Sequence, residues 1–74
     1  MQRSDLHHRL LAAHERGDGV ALIALYIEAA EHAQDADAKG FYLTHAYVFA
    51  LEAGDARAAN LKQNLIDMGR EVPG

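Results

Sequence analysis

Cysteine is absent from this chain, which excludes a disulfide framework and any thiolate metal site and fits a reducing compartment such as the cytoplasm. Long hydrophobic runs are missing as well. The longest, Val20 to Ile27 (VALIALYI), falls far short of the roughly 20 residues that span a bilayer, so it is predicted to be core, and no membrane partner is expected. The start, MQRSDLHHRLLAAH, lacks the apolar region and small-residue cleavage site of a signal peptide, which again predicts a cytoplasmic protein. Positive charge is in short supply. A formal net charge of −4 at pH 7 opposes nonspecific attraction to phosphate backbones, so no nucleic-acid partner is expected. The one proline, Pro73, forbids simple continuation of a helix at the C-terminal end.

What remains is a short chain, 74 residues with half of them hydrophobic, and it predicts a single domain over residues 1–74 with a small core. Many of the apolar residues are alanines, which let helix backbones approach closely but bury little area each. A few Leu, Ile, Phe and Tyr must supply most of the driving force. A domain this small gains from a partner, and self-association is expected.

Two Gly-Asp dipeptides, Gly17-Asp18 and Gly54-Asp55, organise the chain. Each has an Ala four residues before the Gly (Ala13, Ala50), a Glu two before it (Glu15, Glu52) and an Ala three after the Asp (Ala21, Ala58). Gly takes the left-handed conformation that ends a helix, and the Asp carboxylate accepts from free amides of the next one. The junctions lie 37 residues apart, within the range of helical hairpin repeats. The chain is therefore predicted to be all-α, with four helices in two antiparallel hairpins; an up-down four-helix bundle is the alternative.

The first helix is predicted from a cap at Ser4 or Asp5 to Arg16, with Leu6, Leu10, Leu11 and Ala13 on one side and His7 and His14 at its border. The second, capped by Asp18, runs to about Ala33, and its wide apolar arc (Leu22, Ile23, Tyr26, Ala29, Ala30, Ala33) predicts contact with two neighbours. Asp35 or Asp37 caps the third, expected from about Ala36 to Ala53 with Gly40 inside it. A mid-helix Gly costs about 1 kcal/mol against Ala, and a close packing contact is the expected compensation; a start delayed to Phe41 is the other reading. Asp55 caps the fourth helix, whose narrow stripe of Ala58, Leu61, Leu65 and Met68 marks an outer helix ended by Gly69.

The third helix directs Tyr42, Leu43, Ala46, Tyr47 and Ala50 inward and leaves a second stripe, Phe41, His45, Val48 and Glu52. That stripe is either covered by the first helix or left as a contact surface for another chain. Phe41, His45 and Val48 are the candidate partner-binding residues, with Tyr42 or Tyr47 joining them if the hairpins pack otherwise.

The block Ala29 to Asp55 (AAEHAQDADAKGFYLTHAYVFALEAGD) resembles the tetratricopeptide-like helical repeat superfamily in its rhythm of small residues, Leu and aromatics on facing helices. The resemblance extends from about Leu10 to Met68, although Gly-Asp stands where such repeats usually carry Pro. The stretch FYLTHAYVFALEAG is also similar to a block in short bacterial proteins of this size. What the resemblance implies is a right-handed stack that binds protein or peptide segments without catalysis. It brings no catalytic residues and no cofactor.

Other chemistry lacks its parts. Five histidines invite a metal test, but there is no His-x-x-x-His and no Glu-x-x-His; Glu28 with His32 is the nearest spacing. A small-ligand or metal-binding bundle using His14 and His45 is nonetheless the principal alternative function, and a His beside an apolar face can titrate near neutral pH. Ser4 is the only serine, and Thr44 projects about 100° away from His45 on one helix, so no nucleophile meets a base. Asp35 and Asp37 sit in a junction where capping explains them. No enzyme is expected. In a helix-turn-helix the second helix buries positions about six and nine after the turn Gly, which here would be Asn60 and Gln63, out of phase with the Leu61/Leu65 stripe.

Overall fold

The computed structural model describes the backbone of residues 2–70 and the side chains of residues 5–70. Pro73 lies outside the described residues. Four helices follow in order, α1 (Gln2–Arg16), α2 (Gly19–Glu31), α3 (Ala36–Ala53) and α4 (Arg57–Asp67), with no strand among the described residues.

Three of the four helices end in one way. Gly17, Gly54 and Gly69 take φ values of 65°, 63° and 78°. The residue after each Gly then donates its N–H five residues back: Asp18 to the carbonyl of Ala13 (3.0 Å), Asp55 to Ala50 (2.9 Å) and Arg70 to Leu65 (2.9 Å). This is the Schellman closure, which satisfies carbonyls that a helix end would otherwise leave bare. Ala13, Ala50 and Leu65 are all buried, so each closure sits where the chain meets the core. Helix α2 ends without a Gly. Its last carbonyls accept from His32 and Ala33 at 3.2 Å, and the chain then extends to Asp35.

The starts differ from one another. Asp18 caps α2, accepting from the Ala21 N–H at 3.1 Å, and Asp35 caps α3, accepting from Ala38 at 2.8 Å. Asp55 does not cap α4 in the same register: its Oδ1 accepts the Arg57 N–H at 2.9 Å, and the helix begins only at Arg57. The Arg57 guanidinium grips both oxygens, at 2.9 and 3.0 Å, where the equivalent residue after Asp18 is Val20. Ser4 and Asp5 lie inside α1, which begins at Gln2, so neither is its cap. Asp5 instead pairs with Arg9 one turn on, at 3.2 Å. Helix α2 stops at Glu31, short of Ala33, because Asp35 must reach extended backbone to cap α3.

The helices pack in chain order, α1 on α2, α2 on α3 and α3 on α4. Cross-links show both hairpins to be antiparallel: Arg9 of α1 holds Glu28 of α2 with two bonds of 3.1 and 2.8 Å, and Arg70 beyond α4 reaches Asp37 and the Ala36 carbonyl at 3.0 and 3.2 Å. No Cα of α1 comes within 8 Å of α4 among the described residues. The arrangement is an open stack, not a closed ring of four. Its extents of 31 × 28 × 14 Å leave it flat, so each helix keeps a flank in solvent.

The core gathers Ile23 and Ala30 of α2, Leu43, Ala46, Tyr47 and Ala50 of α3, and Leu61 and Leu65 of α4. Helix α3 is thus gripped from two sides. Gly40 lies within it, and the expected packing contact is made by a side chain: the Arg70 guanidinium lies over Gly40 where any Cβ would collide with it.

Gly54 faces no atom within 4 Å of where a Cβ would stand, whereas its φ of 63° is left-handed. Gly54→Ala should therefore lose about 1–2 kcal/mol through backbone strain alone. Gly19, equally open but helical, provides the control: Gly19→Ala should hold or raise stability by up to about 1 kcal/mol, both read from urea unfolding. The Arg57 side chain, with its N–H in support, lowers the Asp55 pKa from 3.8 to about 2. A depressed carboxyl stabilises the fold above its unfolded pKa and loses that contribution as pH falls through the folded one. Between pH 3.8 and about 2 the unfolding midpoint should therefore fall more steeply for the native chain than for Asp55→Asn.

Candidate partner-binding face

Because α2 and α4 hold the inner arc of α3, the opposite arc is left uncovered among the described residues. Phe41 and Val48 remain 56% and 45% exposed, and Leu51 beside them 53%. Glu52 is exposed and His45 half-buried. Helix α1 does not cover the stripe: among the described residues none of its Cα atoms lies within 8 Å of α3, and its side chains reach α3 at Phe49 rather than at the exposed Phe41 or Val48. Tyr47, in contrast, lies in the core at 5% exposure, packed among Leu43, Ala46 and Leu61 in the buried cluster. It therefore does not belong to the exposed face. Tyr42 is half-buried, with its ring edge-on to Phe41 at 5.5 Å.

Rings extend this face across three helices. Tyr26 of α2 is the hub, meeting His45 at 5.1 Å, Phe49 at 5.9 Å in a stacked pair, Tyr42 at 6.3 Å and His14 of α1 at 5.9 Å. Its hydroxyl lies 2.9 Å from His14 Nε2, and His14 also touches Phe49 edge-on at 5.9 Å. Burial pushes the Tyr26 phenol above its ordinary range, and nearby Tyr42 adds to the shift. Sequence reasoning placed Tyr26 only in the core arc of α2 and passed over Phe49. The spacing Phe41, His45, Phe49, each four residues on, was the available signal, since it stacks three rings along one helix edge.

His45 lies against Phe41, ring centroids 4.4 Å apart, and its Nδ1 sits 2.9 Å from the Phe41 carbonyl. A carbonyl only accepts, so Nδ1 carries the hydrogen. Both His14 and His45 thus meet Tyr26, His14 through a bond to its hydroxyl and His45 through ring contact alone, its Nδ1 being taken by the Phe41 carbonyl. Among the described residues no three His, Cys, Asp or Glu side chains come together to hold a metal. A cavity of about 580 Å³ opens elsewhere, between α2, α3 and α4, floored by Ile27, Leu43 and Met68 and rimmed by Glu31, Lys39 and Asp67; no histidine lines it. No described helix is long and apolar enough to cross a membrane.

The chain matches no protein-family model, and no curated protein or solved structure is similar to it.

The Tyr26 hub can be read by titration. The difference in ultraviolet absorbance between the native chain and Tyr26→Phe should isolate a phenol with a midpoint above 10.0; a midpoint at or below that value would show that the ring is solvated.

Proposed function

We propose that this chain is a non-catalytic protein-interaction module of the helical-repeat type, tetratricopeptide-like and cytoplasmic, which associates with copies of itself through the outer face of α3. The observation that carries the reading is the exposure of Phe41 and Val48 on a helix whose inner arc is held by both α2 and α4. Exposed large apolar side chains on a rigid element are what an interface core requires, since they lose little order on docking. His45 and Tyr42 border them and complete the contact. The sequential, open stacking of two hairpins supports the repeat-like comparison, because such stacks present one helix of each pair along a continuous surface. The alternative use of His14 and His45 for a metal or small ligand is less well supported, since both imidazoles already engage neighbours and the cavity lies away from them.

Light scattering after size-exclusion chromatography tests the reading. The native chain should show a dimer mass that Phe41→Asp with Val48→Asp reduces to a monomer while helical circular dichroism is retained. A native chain that stays monomeric at millimolar concentration contradicts the proposal. His14→Ala and His45→Ala should leave any zinc response of thermal stability unchanged.

A further inference from the structure

The outer stripe of α3 has a finer order than exposure alone conveys. Phe41, Thr44, Val48 and Leu51 are spaced 3, 4 and 3 residues apart, the a/d pattern of a helix-pairing seam, with His45 and Glu52 both at the flanking e position. All four seam residues are exposed. Two donors along the seam are already satisfied inside the helix: the Thr44 hydroxyl donates to the Gly40 carbonyl at 2.8 Å, and the flanking His45 Nδ1 to the Phe41 carbonyl at 2.9 Å. Thr44 therefore presents its methyl group. Covering the seam with another helix strands no Thr44 or His45 donor on this side.

Resting on the self-association reading above, we infer that the occupant is α3 of a second copy, paired antiparallel about a two-fold axis near residue 46. In that register Phe41 of one copy meets Leu51 of the other and Thr44 meets Val48, since 41 + 51 and 44 + 48 give the same sum. Each layer combines different side chains of complementary size. Parallel pairing would set Phe41 on Phe41 and Thr44 on Thr44 and align the helix dipoles. Antiparallel pairing opposes the dipoles and sets Glu52 of each copy near the N-terminal end of the partner's α3. There the positive end of the helix dipole favours a carboxylate. The seam residues themselves, Phe41, Thr44, Val48 and Leu51, carry no charge to bury. The two-fold operation closes the assembly at a dimer.

The lack of native cysteine makes the register directly readable. Thr44→Cys and Val48→Cys are both exposed positions where the fold does not depend on the side chain, and circular dichroism checks this. A disulfide needs Cβ atoms about 3.5–4.5 Å apart, which antiparallel pairing provides between positions 44 and 48 and parallel pairing between 48 and 48. Under mild oxidation, an equimolar mixture of the two variants should yield the mixed disulfide, identified by mass, on the order of 10-fold faster than either variant alone. Leu51→Asp should weaken the native dimer by at least about 10-fold, as a core contact does. If Val48→Cys alone cross-links as fast as the mixture, or if the mixture fails to cross-link while light scattering still reports a dimer that Phe41→Asp with Val48→Asp disrupts, the antiparallel register is wrong and the interaction reading stands. A monomer by light scattering overturns both.

Discussion

The packing of α3 between α2 and α4 is the contact on which the rest of this molecule depends. Its inner arc uses small residues, Ala46 and Ala50, beside Leu43 and Tyr47, so two helices approach the same backbone closely and bury what little area a domain of this size can offer. Everything else is arranged to deliver that contact. Schellman closures at Gly17 and Gly54 reverse the chain within a few residues, and the Arg9–Glu28 and Arg70–Asp37 links tie each hairpin across its open end. These surface pairs contribute little stability individually.

One consequence is geometric. A helix held on its inner arc by two neighbours, in a stack only 14 Å thick, keeps an outer arc that is free among the described residues. The exposed apolar groups on that arc are therefore not an accident of a poor core. They are the remainder after the alanine-lined arc has been used, and their hydroxyl and imidazole donors are closed within the helix itself.

Much of the fold was legible because its determinants are local. Gly at C′ and Asp at an N-cap act over four or five residues, so the ends of α1 and α3, the Asp18 cap, a cap at Asp35 or Asp37 and the stop at Gly69 could be read from their neighbours in sequence, and the structure selects Asp35. The start of α4 was not, because Arg57 competes for the Asp55 carboxylate and displaces it from the cap, a contest between side chains that a cap motif does not encode. Gly40 was recognised as a site of close approach, but not the approaching group, since Arg70 lies thirty residues away in the chain. The candidate face was half legible. Phe41, His45 and Val48 follow from helical spacing, whereas the Tyr26 hub depends on how three helices meet, and a wheel drawn for one helix at a time cannot bring His14 and Phe49 to the same ring.

The central claim is that the outer face of α3 is where this chain meets another copy of itself. A dilution series followed by amide chemical shifts measures that face residue by residue. On raising the concentration, shifts should move together at Phe41, Thr44, His45, Val48 and Leu51 and saturate at one common dissociation constant, with the cavity residues Ile27 and Met68 unmoved. Spectra that do not change with concentration, or changes centred on the cavity or on α1, would contradict the account.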